Sequence, residues 1–398
     1  MKKSVLLLGA LALTVNSFSQ EVTTNNENSS YKFQEIAHLD ATPVQSQGYT
    51  GTCWSFSALS FFESEMIRKG KTDVPQLSEM YVARKAYEGK AEKYVRMDGK
   101  TNFSQGGAFH DIPWVFKHHG LVPAEAYEGL NYGMDKHNHR EMFSGLEGYM
   151  KGILSAVSSQ GLTSSWRAGL AAILDAYLGE DPKNFSYKGK EYTPRTFADE
   201  TGLDMDEYVS LTSFTNHGLN EKCFLAIQDN WAWGSSYNVS LDDLVSATET
   251  ALKNGYSVAW GADVSEKGFS FRDGLAIVPK DESTISVRGR DNSNFSDAGA
   301  EKISNAFLTP VEEKDITPEI RQKGYDNKTT TDDHGMHITG MYKEANGTTY
   351  FLVKNSWGTG NYPEGYLYVS ANYFKWKTIN VYLHKDALSK DLKKKLNF

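Results

Sequence analysis

Cys53 stands in the row Pro43-Val44-Gln45-Ser46-Gln47-Gly48-Tyr49-Thr50-Gly51-Thr52-Cys53-Trp54-Ser55-Phe56-Ser57. Glycines and small polar residues up to Thr52 read as a tight loop. Phe56, Leu59, Phe62 and Met66-Ile67 then recur at helical spacing until Gly70. This pattern predicts that Cys53 opens a long amphipathic helix, where unpaired N–H groups and the helix dipole favour the nucleophilic thiolate. Gln47, six residues upstream, can join the Cys53 backbone N–H as an oxyanion hole. Such a sulfur attacks carbonyl carbon and needs a base beside it. The other cysteine, Cys223, lies in Glu221-Lys222-Cys223-Phe224-Leu225-Ala226-Ile227, an apolar run expected to be core.

Candidate bases lie near the C-terminus. Asp332-Asp333-His334-Gly335-Met336-His337-Ile338 leads through Ala345-Asn346-Gly347 into a β-rich run that ends in Lys354-Asn355-Ser356-Trp357-Gly358. Asn-Gly between two such runs predicts a hairpin. A two-residue loop would set Asn355 opposite Ile338, with His334 on the same face and His337 on the other. The remaining stagger is too long for contact, so a longer loop or a bulge is required. Strand parity therefore favours His334 as base and Asn355 as the residue that orients it, and leaves His337 aside.

The elements that must position these groups belong to a chain of 398 residues, 39% hydrophobic and 13% aromatic, long enough to bury a large core. Its 42 basic and 50 acidic side chains give a net charge of −8, which argues against nucleic acid as partner. Lys2 and Lys3 precede an apolar run from Val5 to Val15 and then Ser17-Phe18-Ser19, the pattern of a cleaved signal peptide over residues 1–19. Beyond Gln20 no apolar stretch approaches the roughly 20 residues a spanning helix needs. We therefore expect an exported chain, periplasmic or secreted, with no stable membrane insertion. Asp332, Asp333, His334 and His337, the pair His118-His119, and His137 with His139 carry no zinc-type spacing, so neither metal nor other cofactor is expected. Lys280 to Thr331 is polar and expected to form long surface loops, and Lys385 to Leu396 to form a final basic helix whose Lys393–Lys395 face is solvated.

Gln47…Cys53-Trp54, His334 and Asn355-Ser356-Trp357-Gly358 resemble, in that order, the papain-like cysteine peptidases. The resemblance implies an α+β fold of two lobes, one helical with the catalytic helix at its N-terminal end, the other an antiparallel β-barrel-like lobe. It implies that Cys53 attacks, His334 acts as base and then acid, Asn355 orients His334, Gln47 donates to the oxyanion and Trp357 shields the Asn355–His334 bond. Leu77-Ser78-Glu79 falls where such chains begin a second helix, and Gln105-Gly106-Gly107 where they hold the peptide backbone, which a side chain would obstruct. Thr50 replaces a cysteine that most papain-like enzymes pair in a disulfide, and the stretch between Gln20 and Gln47 is too short for an inhibitory pro-domain.

A large, mostly helical insertion at about 131–254, within a peptidase domain spanning 20–398, narrows the resemblance to the bleomycin hydrolase and aminopeptidase C group. It contains Tyr192-Thr193-Pro194, Asn230 and a helical run from Leu241 to Leu252, and a buried strand follows at Ser257 to Val264. That group implies an aminopeptidase acting on peptide substrates, often as a homo-oligomeric hexamer, with a C-terminal tail in the cleft. Here that tail reads as shortened, which leaves a broad endopeptidase as the alternative, and a silent peptide-binding protein as the remote one.

Overall fold

The computed structural model describes residues 22–159, 161–288 and 301–398; the expected leader, 1–19, lies outside them. After β1 (Val22–Thr23) and β2 (Phe33–His38) come three helices, α1 (Cys53–Arg68), α2 (Glu79–Arg96) and α3 (Asp111–His119). The segment expected as an insertion then gives α4 (Arg140–Ser155), α5 (Ser165–Leu178), the hairpin β3 (Phe185–Tyr187) and β4 (Lys190–Tyr192), and α6 (Pro194–Glu200). It continues as β5 (Tyr208–Thr212), β6 (Glu221–Phe224), β7 (Ser235–Asn238) and α7 (Leu241–Lys253). Next are β8 (Val258–Ala262), β9 (Phe269–Ser270), β10 (Leu275–Ala276), β11 (Ser286–Arg288), β12 (Glu301–Ile303) and α8 (Pro318–Asp326). The chain finishes with β13 (His334–Glu344), β14 (Thr349–Lys354), β15 (Tyr366–Ser370), α9 (Ala371–Lys377), β16 (Thr378–His384) and α10 (Lys390–Leu396).

The main sheet runs β6-β7-β5-β16-β8-β13-β14-β15-β10-β9, with β2 also paired to β13, and among the described residues it stays open rather than closing into a barrel. The fold is thus α+β, with a helical side and a sheet side. The helical side has its own core, built from α1 to α6 around Phe61, Tyr87, Leu146 and Leu174. The sheet packs a second core around Trp260, Met336, Phe351 and Tyr373. Local signals fix most of these elements: Ser78 caps α2 by accepting from the Tyr81 N–H, and Thr193 caps α6 with Pro194 in its first turn. No helix of the described residues is long and apolar enough to cross a membrane.

Four expectations are corrected. α1 is not amphipathic: every residue from Trp54 to Met66 is buried, because the helix is clamped between its own lobe and the sheet. Cys223 is not core; β6 is the outermost strand of the sheet, so the cysteine is half-exposed and Phe224 exposed. The polar stretch after Lys280 is not all loop, since Thr317 and Pro318 start α8, whose Arg321 is buried and donates to the carbonyls of Ser213 and Lys375. The final basic helix is broken: Lys385–Ala387 is a 3-10 turn, and Ser389 caps a new start at Lys390.

The two cores meet where α1 crosses β13. A side chain on Gly335 would sit 2.7 Å from Ser57 Oγ and 3.2 Å from Trp54 Cα. Glycine is thus what lets the strand carrying His334 approach the helix carrying Cys53. Gly335→Val should cost about 1–3 kcal/mol by overpacking and lower peptidase activity in the protein that remains folded, read by urea denaturation and kcat/KM.

Candidate active site

α1 begins at Cys53 with no side-chain cap at Thr52, so its first turn presents backbone N–H groups at the sulfur's own position. Two bonds from Gln105 hold this turn: its Oε1 accepts from the Gly51 N–H at 2.9 Å and its carbonyl accepts from Trp54 Nε1 at 3.1 Å. Gln105 therefore ties the cysteine loop to the neighbouring pair Gly106-Gly107.

The hairpin that carries His334 and Asn355 resolves the stagger by both routes. Its loop is longer than two residues, closed by the Glu344 N–H to the Thr348 carbonyl at 2.9 Å. A bulge falls between Ile338 and Gly340, where the Thr339 carbonyl turns to accept from the Leu39 N–H at 2.8 Å. Ile338 then pairs with Val353, not Asn355. The slip brings His334 Nε2 within 2.7 Å of Asn355 Oδ1. Both side chains are buried, and the Trp357 ring covers His334 with centroids 4.6 Å apart. Burial lowers His334 to about 4, opposed by the Asn355 hydrogen bond, so the ring is neutral at pH 7. Its contribution to stability is complete above its unfolded value near 6.5 and is lost as the pH falls toward 4.

His337 points away, as its parity requires. It sits in a separate polar pocket beneath the strand, with Nδ1 3.0 Å from Ser60 Oγ, which also accepts from Lys354 Nζ at 2.7 Å. Glu63 completes that pocket, accepting from the Leu77 N–H at 2.8 Å. Gln47 is fully buried; its Nε2 donates to the Thr50 carbonyl at 2.7 Å and its Oε1 accepts from Ser356 Oγ at 2.7 Å. The Gln47 N–H donates to the Ser356 carbonyl at 2.9 Å. Gln47 is thus stitched to the Asn355-Ser356-Trp357 strand end, with one amide hydrogen already committed to Thr50.

Cys53 and His334 line one cavity of about 20 Å³, together with Gly107, Phe109, Asp229 and Asp332. Burial, and then the neighbouring Asp229 and Asp333 charges, push the Asp332 carboxyl well above its ordinary value. Asp229 was invisible in the sequence: it lies in the loop between β6 and β7, more than a hundred residues from the glycines it meets, with no motif around it. Gly106 and Gly107 are closely fitted against this protein's own groups. A side chain on Gly106 would collide with the Asp229 carboxylate, and one on Gly107 would lie 2.5 Å from Asp111 Oδ2 and 2.6 Å from the Trp54 ring. Among the described residues no group of three or more His, Cys, Asp or Glu side chains is placed to hold a metal ion.

Known proteins resemble this chain over most of its length. Residues 29–141 match the papain family cysteine proteases and residues 320–398 the peptidase C1-like family. Among curated relatives, aminopeptidase G of Lactobacillus delbrueckii subsp. lactis is 23% identical over 89% of this chain and 83% of its own length. Aminopeptidase C of Lactococcus lactis subsp. cremoris is 22% identical over 96% of this chain and 89% of its own. The crystal structure of PepW from Lactobacillus rhamnosis superposes with a TM-score of 0.69 at 17% identity, covering 92% of this chain and 84% of that one. The chain is thus similar to papain-family cysteine peptidases in its first and last segments, and to aminopeptidases C and G over most of its length.

Proposed function

We propose that this cysteine peptidase releases N-terminal residues from peptides through Cys53, His334 and Asn355. The observation that carries the reading is the 2.7 Å bond from His334 to Asn355 beneath Trp357, on a ring that shares its cavity with Cys53. With Asn355 Oδ1 accepting from Nε2–H, Nδ1 is the ring nitrogen that takes the thiol proton. The Cys53 sulfur then attacks the scissile carbonyl, and the oxyanion forms at the N-terminus of α1, facing the Cys53 N–H with the second amide hydrogen of Gln47 in support. Each such donor is worth on the order of 3 kcal/mol. His334 returns its proton to the leaving amine, which departs, and then activates the water that frees the acyl group from the sulfur. The peptide backbone lies along Gly107. The relatives named aminopeptidase favour attack next to a free N-terminus. The sequence of residues 1–19 supports export of the mature chain.

A dipeptide reporter with a free amine should be cleaved much faster than its N-acetylated twin, and one equivalent of an epoxide inhibitor should alkylate Cys53 and stop both. Faster cleavage of the acetylated twin would replace this reading with an endopeptidase.

A further inference from the structure

The row of backbone groups beside Cys53 comes to an end after one residue. Gly107 is half-buried, and neither its N–H nor its carbonyl makes a backbone hydrogen bond among the described residues. It offers an open pair to an extended peptide. Gly106 offers none: its carbonyl accepts from Lys90 Nζ, and the space over its Cα is filled by Asp229 Oδ2. Lys90 is itself buried, and it also donates to the Ser104 carbonyl at 3.0 Å, so this obstruction is fixed from below.

The Asp229 carboxylate is equally fixed from above. Its Oδ1 accepts from Asn102 Nδ2 at 3.1 Å and from Ser104 Oγ at 3.3 Å. The loop that carries it, residues 225–234, is closed on itself by Asn230, which is 2% exposed. The Asn230 side chain donates to the carbonyls of Leu225 (3.1 Å) and Gly234 (2.9 Å) and accepts from the Gly234 N–H at 2.9 Å. Next to it, Trp231 Nε1 donates to Asp111 Oδ2 at 2.6 Å, the same oxygen that accepts from the Ala108 N–H at 3.0 Å. The loop is therefore bolted to the segment that holds Gly107. Asp229 lines the same cavity as Cys53, His334 and Gly107, so the loop closes that cavity on the side of the glycines.

We infer that the 225–234 loop stops the bound peptide one step beyond Gly107 and that the Asp229 carboxylate receives the α-ammonium of the substrate's first residue. The chain end at this stop must be the N-terminus, because a C-terminal carboxylate would face a like charge at Asp229, whereas an ammonium gains a charge-assisted hydrogen bond. An N-acetylated or internal segment brings neither the charge nor the end. This rests on the aminopeptidase reading above and adds to it the residue that selects the free amine and the loop that sets how far the peptide enters.

The test uses the full-length protein and the paired reporters, one with a free amine and one N-acetylated. Asp229→Asn keeps the shape and the Oδ1 acceptor but removes the charge. It should raise KM for the free-amine reporter about 10- to 100-fold, the loss of one hydrogen bond to a charged group, with kcat changed little. The free-amine preference should fall by the same factor, and Asp229→Glu should recover part of it. Replacing residues 226–233 by two glycines should open the site to the N-acetylated reporter. An Asp229→Asn enzyme with unchanged KM and unchanged preference would overturn the assignment of Asp229. A wild-type enzyme indifferent to acetylation would instead overturn the aminopeptidase reading on which it rests.

Discussion

Cys53→Ala is expected to lower peptide hydrolysis by about 10⁴-fold or more, as does removal of a nucleophile that acts as a unit with its base, while His337→Ala retains most of kcat in the molecules that fold. The two histidines are three residues apart on β13 and fully or nearly buried, so burial does not separate them. Their surroundings do. His334 shares the cavity of Cys53 and bonds Asn355, whereas His337 faces Ser60 in the pocket of Lys354 and Glu63. Loss of the His337 ring should therefore appear as instability, about 2–4 kcal/mol from a buried cavity and an abandoned hydrogen bond. The measurement is active-site titration with kcat, beside a urea midpoint, for His334→Ala and His337→Ala. Equal losses of kcat in the two would move the base assignment away from His334.

Lys377→Met is expected to destabilise the protein by about 3–5 kcal/mol, the cost of stranding a buried charge. Lys377 and Asp263 are both fully buried and 3.3 Å apart. The ammonium also donates to the Thr329 carbonyl at 2.8 Å and Thr330 Oγ1 at 2.9 Å, and Asp263 Oδ2 accepts from the Thr331 N–H at 3.2 Å. This pair fixes the segment that delivers the chain to His334. The variant should thus lose kcat as well as its urea midpoint. Adding Asp263→Asn removes the fully buried one of the two carboxylates that Lys377 pairs, the other being Glu266, and should restore part of the stability. A single variant as stable as the wild type would show that the pair contributes only packing.

Features encoded within a few residues were legible. The loop before Cys53, α7, the buried strand β8 and the hairpin around Asn346-Gly347 stand where spacing and turn chemistry place them, and α2 begins at Leu77-Ser78-Glu79 as the family resemblance implies. The pairing of His334 with Asn355 was legible only up to a missing correction in register, because the bulge depends on Thr339 bonding Leu39 of another segment. What the sequence could not disclose is long-range packing. Cys223 reads as core from its apolar neighbours, yet strand order puts β6 at the sheet edge. Helical periodicity makes α1 two-faced, yet burial on all sides follows from the sheet that covers it. The glycine pair suggests room for a substrate, yet the group pressed on Gly106 is a carboxylate from a distant loop.

The close approach of Gly335 to Ser57 and Trp54 makes the reactive pair a joint between two halves, each with a core of its own. Neither half holds both reactive groups, so turnover reports on the fit of the halves rather than on the integrity of either. Warming should silence the enzyme while circular dichroism still shows its full complement of helix and strand, as the joint between the two cores loosens before either melts.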